Sequence, residues 1–342
     1  MGAHVLAADE RPVGESAKAI GYGRPLRVDL ELPDGSARQV VFHLPESNDF
    51  GHDRRSDRAQ ASLLAWDTFG AIPRHAAALD VGAIQENGSL VSLRRTGELY
   101  LLTEWCPGRT YAEDLREVAA SGQLTARDHS RARSLASYLV DVHRERGSHG
   151  AAYTRSVRDL VGGGEGIAGI VDGYPDDVPA APRARLESIE RSCLTWRFST
   201  KRRTSRLRRI HGDFHPFNVV FRERDDFTVL DASRGAEGDP ADDVTSMALN
   251  YLFFALGRAP GQAQGLATLW SLFWETYLSA AGDDDLLDVA APFVAWRCLV
   301  LACPRWYPGQ RAEDRDLLLG LAERALAEPR FDPQWGRQII LG

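Results

Sequence analysis

Lysine is nearly absent from this chain. Of its 41 basic residues only Lys18 and Lys201 are lysines. Arginine takes their place throughout, a bias typical of a GC-rich genome, so an arginine at a surface site says little about function. The four cysteines (Cys106, Cys193, Cys298, Cys303) show neither metal-ligand spacing nor a dense framework, and they are expected to be free thiols in a reducing compartment. No apolar run approaches the roughly 18 residues that a membrane helix needs, so no membrane partner is expected. The opening MGAHVLAADERPVGES lacks the basic-then-apolar plan of a signal peptide, and a cytoplasmic protein is the expectation. A net charge of −7 argues against a nucleic-acid partner. With 342 residues, 44% hydrophobic and 26% charged, the chain has the composition of a globular protein with ample core. Nothing in it points to an oligomeric state.

What is present concentrates in one stretch, His211 to Asp231, HGDFHPFNVVFRERDDFTVLD. Two short apolar runs, Val219–Phe221 and Phe227–Leu230, flank the charged cluster Arg222–Asp226 and are predicted to pair as strands. Pairing brings Asn218, at the start of one strand, close to Asp231, at the end of the other. Two oxygen donors on rigid backbone suit a hard cation such as magnesium. Asp213, in the loop before, is positioned to accept a proton from a nucleophile.

These residues resemble the catalytic loop of the protein-kinase-like phosphotransferases. The spacing of His211, Asp213 and Asn218 fits H-R-D-x-x-x-x-N, and Asp231 stands where the aspartate of D-F-G would be. The wording is closer to the H-G-D-x-H-x-x-N of aminoglycoside phosphotransferases and choline-kinase-like enzymes. Gly238, Asp239, Pro240 and Asp243 resemble the G-D-P-x-x-D segment that follows the metal aspartate there. No A-P-E-type segment follows Asp231, which disfavours a protein kinase.

The resemblance implies an α+β, bilobal protein-kinase-like fold: a small strand-rich N-lobe over 1–104 and a larger, mainly helical C-lobe over 105–342. It implies ATP- or GTP-dependent phosphorylation of a small-molecule hydroxyl, on an antibiotic such as an aminoglycoside or on a sugar or amino-alcohol metabolite. Asp213 would be the base, Asn218 and Asp231 the Mg2+ ligands, and His211 and His215 groups that hold the loop. The run Tyr100–Gly108 resembles the family's hinge strand, which assigns nucleotide-base contacts to Glu104, Trp105 and Cys106.

The chain departs from the family in its N-terminal third. Alternating apolar residues predict strands over Leu26–Leu32 and Val40–Leu44, joined by the turn Pro33-Asp34-Gly35-Ser36. The family's third strand normally carries a phosphate-binding lysine; here the corresponding run reads Val41-Phe42-His43. The following helix, Arg54–Phe69, has no glutamate partner, only Asp57 or Gln60. His43 either donates to a phosphate or merely fills the strand. The altered pair supports an alternative, a nucleotide-binding but catalytically weak or silent kinase-like protein. The Gly21-x-Gly23 pair is either a remnant of a phosphate-covering loop or an ordinary turn. Residues 1 to about 20 are expected to be a leader or first helix.

Downstream, helices are predicted over Thr110–Val118, Thr125–Arg144, Arg183–Arg197, Val244–Leu256, Gly261–Ala281, Asp285–Ala302 and Asp314–Ala327. His143 is expected to be a packed structural histidine, and Asp243 to favour the N-terminus of its helix. Ser148–Pro182, rich in glycine, proline and aspartate, is expected to be an insertion or a substrate loop. Glu165, with Asp239 and Asp242, is a candidate substrate contact. The cluster Lys201, Arg202, Arg203, Arg206, Arg208 and Arg209 is either a solvated turn or a positive rim for an anion.

Overall fold

The computed structural model describes residues 4–9, 23–232 and 234–342. Its contacts divide the chain into two units, 1–103 and 104–342.

In the first unit, β1 (His4–Asp9), β2 (Gly23–Glu31) and β3 (Ala37–Pro45) form an antiparallel sheet in that order. The strand over residues 4–9 corrects the expectation of a leader or helix there; its backbone pairs with β2 from Asp9 opposite Arg27 to His4 opposite Glu31. The rest of residues 1–22, including Gly21, lies outside the described residues, and Gly23 is the first residue of β2. The β2–β3 turn is closed by Asp34, which accepts from the Ser36 amide at 3.0 Å, with Gly35 at φ 80°. Then follow α1 (Arg55–Thr68) and the hairpin β4 (Gly82–Ile84) and β5 (Leu90–Ser92). Asp57 is the third residue of α1 and accepts from the Arg54 backbone at 2.8 Å, so it caps its own helix.

The second unit holds the core. It begins with β6 (Arg109–Thr110) and runs through α2 (Tyr111–Ser121), α3 (Ala126–His143), α4 (Gly150–Gly162), α5 (Ile167–Asp172) and α6 (Arg183–Thr200). Next come β7 (Arg208–Arg209), β8 (Val219–Phe221), β9 (Phe227–Val229) and β10 (Glu237–Gly238). Helices α7 (Pro240–Ala255), α8 (Pro260–Ala281), α9 (Leu286–Val289), α10 (Ala291–Ala302), α11 (Ala312–Ala327) and α12 (Pro333–Leu341) complete it. Capping chemistry sets the helix starts. Thr125 and Asp128 exchange bonds at the head of α3, and Asp239 accepts from Ala241 ahead of α7, with Pro240 in the first turn. Helix α7 is apolar almost all round and is accordingly buried on nearly every side.

Three expectations change. The stretch 148–182 is largely helical, because Tyr153, Val157, Leu160 and Val161 recur at helical spacing and are buried; its glycines 162–166 only link α4 to α5. Residues 333–341, beyond the last helix expected, form α12. The run Tyr100–Gly108 is not a strand: no described strand pairs with it, and Tyr100, Leu101, Leu102 and Trp105 are exposed. Strand propensity without a partner for the backbone groups does not make a strand.

Candidate active site

The loop 211–218 is held from beneath by Asp243, on the first turn of α7. The Asp243 carboxylate accepts from the backbone amides of His211 (2.7 Å) and Gly212 (2.9 Å). The same carboxylate meets His143 Nε2 at 3.2 Å, and His143 Nδ1 meets the Tyr277 hydroxyl at 2.8 Å. Burial pushes the Asp243 carboxyl up. The bonds from His143, His211 and Gly212 outweigh that and hold it below the usual carboxylate range. The two residues read as structural, His143 and Asp243, thus form one buried support for the loop. Gly212 sits at φ 81°, and an added Cβ would lie 3.0 Å from the Gly235 carbonyl oxygen, so this position requires glycine.

Within the loop, Asp213 has two unlike oxygens. Oδ2 meets His215 Nε2 and Asn218 Nδ2, each at 3.3 Å. Oδ1 faces Arg297 Nη1 at 3.7 Å, beyond hydrogen-bond reach. His215 Nδ1 accepts from the Phe217 amide at 3.2 Å, so its proton is on Nε2 and points at Asp213. Burial holds the His215 pKa below its ordinary value, which keeps the ring neutral at pH 7. Burial also pushes the Asp213 carboxyl up, but His215, Arg297 and Arg234 together bring it below its ordinary value. Asp213 is therefore ionised at neutral pH. His211 Nδ1 accepts from the Asp213 amide at 3.3 Å, a bond internal to the loop.

The hairpin forms as the alternation predicts, with Val219 opposite Val229. The Leu230 amide donates to the Asn218 carbonyl at 2.8 Å, which brings the chain at Asp231 alongside Asn218. Asp231 is exposed and lies at φ 54°, a left-handed conformation uncommon for non-glycine residues, in which aspartate is enriched. Asn218 Nδ2 donates to the Asp213 carbonyl oxygen and carboxylate, which turns the amide oxygen the other way. An amide oxygen and an exposed carboxylate are hard donors and fit a magnesium ion. Among the described residues no group of three or more His, Cys, Asp or Glu forms a cage for a metal.

The substrate candidates separate. Asp239 is fully engaged in structure: Arg206 Nε and Nη2 at 2.8 and 2.9 Å, the Tyr153 hydroxyl at 2.7 Å and the Ala241 amide at 2.9 Å. This corrects its reading as a substrate contact, since its acceptor sites are spent. Asp242 is buried and bonds Arg234 Nη2 at 2.5 Å; burial raises its pKa to about 6. Glu165 is exposed, and its backbone carbonyl accepts from Trp296 Nε1 at 2.8 Å. The Trp296 ring in turn lies 4.0 Å from the Arg234 guanidinium. His43 is exposed on β3 opposite Pro25. Half of the basic cluster is paired internally: Arg206 reaches Asp239 and Asp283, Arg209 reaches Glu145 and Arg203 lies 3.7 Å from Asp285.

Sequence reasoning missed Arg297. It sits on α10 within the apolar run Phe293–Ala302 and is buried beside Asp213. The signal available was a charge inside an otherwise apolar helix.

No curated protein matches this chain. Among solved structures it is similar to a glucosamine kinase in complex with glucosamine, ADP and inorganic phosphate, at 18% identity and a TM-score of 0.44, covering 63% of this chain and 60% of that one. It is similar to an ethanolamine kinase of Plasmodium vivax (11%, 0.34, covering 92% and 78%) and to a macrolide 2'-phosphotransferase from Brachybacterium faecium (14%, 0.31, covering 96% and 93%). Values this low transfer no substrate. The model of the phosphotransferase enzyme family matches residues 52–282, more than half of the chain and the whole of the 211–243 site. The chain belongs to the phosphotransferase enzyme family.

Proposed function

We propose that this protein transfers a phosphoryl group from ATP or GTP to a hydroxyl of a small molecule, with Asp213 orienting that hydroxyl. The observation that carries the reading is the asymmetry of Asp213. One oxygen is held by His215 and Asn218, and the other takes no hydrogen bond from any described residue. An ionised carboxylate with one oxygen fixed and one available is suited to receive a hydrogen bond from an acceptor hydroxyl. Phosphoryl transfer passes through a loose transition state, so the protein's work is positioning and charge neutralisation more than proton abstraction. His215, neutral and donating from Nε2, steadies Asp213 without cancelling its charge. Asp243 and His143 keep the loop backbone in register. Asn218 and Asp231 are assigned to magnesium, whose chemistry there is to neutralise nucleotide phosphate charge. Nucleotide contacts are assigned to His43 and to the backbone of Glu104, Trp105 and Cys106, on the family resemblance.

One observation favours the second reading, a weak or silent kinase-like protein. Strand β3 carries no lysine and Asp57 is engaged in capping α1, so the usual cation–carboxylate pair is missing.

Two measurements separate these readings. Calorimetry of ATP and GTP with magnesium is expected to give binding that Asp231→Ala abolishes. Asp213→Asn is expected to keep that binding and to lower transfer by about 10²–10⁴-fold. Full transfer by Asp213→Asn would sink the assignment. Binding without transfer to any hydroxyl by the wild type would favour the silent protein.

A further inference from the structure

Arg297 is 3% exposed and makes no hydrogen bond with any described residue. Its Nε is buried without a partner among the described residues, and its ion-pair contact there is Asp213 Oδ1, 3.7 Å from Nη1. A guanidinium carries five N–H donors. The buried Nε–H goes unused and the terminal nitrogens bond no described residue, an arrangement that costs several kcal/mol unless a ligand takes these donors. The other buried arginines, and the partly buried Arg234, differ in this respect. Arg131 holds Asp114, Arg206 holds Asp239 and Asp283, Arg234 holds Asp242, and Arg315 bonds the carbonyls of Ala302 and Tyr307. Tyr307 follows α10 and answers to the same two groups: burial raises its pKa, Arg297 lowers it and Asp213 raises it.

We propose that Arg297 is a specificity-determining residue that binds an oxyanion, a carboxylate or a phosphate, on the acceptor molecule next to the hydroxyl held by Asp213. The inference rests on the phosphotransferase reading and names its substrate class: acid-bearing hydroxyl compounds, in preference to neutral or cationic ones. The planar fork of arginine matches the paired oxygens of a carboxylate or phosphate. The anion belongs to the acceptor rather than to the transferred phosphoryl group because Arg297 meets the acceptor-side group, Asp213, and neither Asn218 nor Asp231. An ammonium in the same position would face a buried positive charge with little water to screen it. That places a polycationic aminoglycoside among the disfavoured acceptors.

The test uses matched compounds that differ in charge: glucuronate, glucose and glucosamine, and glycerate, glycerol and ethanolamine. Each is titrated calorimetrically into the full-length protein without nucleotide, and each is then offered as acceptor with Mg-ATP and Mg-GTP. The acid of at least one set is expected to bind at least about tenfold tighter than its neutral and cationic partners, the scale of a charge-assisted bidentate contact. Arg297→Gln is expected to remove that preference and to raise KM for the acid about tenfold or more beyond any change it causes for the neutral acceptors. Arg297→Lys, which keeps the charge without the fork, is expected to restore part of it. Mg-nucleotide binding, retained in each variant, reports that the fold survives. Equal affinity across each set, or an Arg297→Gln loss equal for all acceptors, would overturn the proposal while leaving phosphotransfer intact. Arg297-dependent binding of the acid without any transfer would overturn phosphotransfer and leave the anion site standing.

Discussion

Asp242 and Asp243 are neighbours on one helix and titrate in opposite directions. Burial raises the Asp242 carboxyl to about 6, with Asp243 close by adding to the rise and Arg234 opposing it. Asp243 is as buried, yet its donors bring it below the ordinary carboxylate value. Identical residues in similar burial thus diverge by what bonds them. For Asp243, whose folded pKa is depressed, the stabilisation is fully present above the unfolded value near 4 and is lost as the pH falls through the lower folded value. Asp242 behaves the other way: its contribution is largest below about 4 and is lost as the pH rises to about 6. Asp243→Asn is therefore expected to be less stable than the wild type by about 3 kcal/mol at pH 7, where two amides and His143 lose an ionised acceptor. The gap is expected to shrink below pH 4. Urea denaturation of both proteins across pH 2–7 measures it, and a gap independent of pH would contradict the assignment.

At the scale of the element, the N-terminus of α7 is pinned by a buried ionic cluster. Arg206 bonds Asp239 through Nε and Nη2 and Asp283 through Nη1 and Nη2, and the Tyr153 hydroxyl donates to Asp239. Burial would lower the Arg206 pKa, but the two aspartates outweigh it and raise it further. The cluster ties α7, which carries Asp243, to α4 and to the segment entering the catalytic loop. Removing one partner strands the other. Asp239→Ala is expected to cost about 3–5 kcal/mol by urea denaturation, whereas the paired replacement Arg206→Met with Asp239→Leu is expected to cost less. A double variant as unstable as the single one would show that geometry, not stranded charge, sets the cost.

At the scale of the whole molecule, the apolar core lies almost entirely within the second unit. Both buried apolar clusters fall between Tyr111 and Ile340, and in the described part of the first unit only Val81 is buried. No helix of the described residues is long and apolar enough to cross a membrane. Residues 104–342 expressed alone are expected to unfold in one cooperative thermal transition, because they retain the core and every member of the Asp213, Asp243 and Asp239 networks. Residues 1–103 alone are expected to give no such transition, having little apolar area to bury. Calorimetric scans of the two fragments check both; a broad, non-cooperative melt of 104–342 would contradict the first.

The sequence by itself determined the local matters. The β8–β9 hairpin, the start of most helices and the spacing of His211, Asp213, Asn218 and Asp231 follow from alternation, helical periodicity, capping residues and motif. Each of these depends on residues a few positions apart. The tertiary structure decided what depends on distant segments. The strand at residues 4–9 exists because β2 lies beside it, and the Tyr100–Gly108 run fails as a strand because no described strand does. Asp239 reads as a site residue in the motif, yet it is spent on Arg206, 33 residues away. Arg297 sits in an apolar helix 84 residues after the aspartate it faces, since 297 − 213 = 84. A buried charge is specified by what surrounds it in space, and no local pattern in the chain records those surroundings.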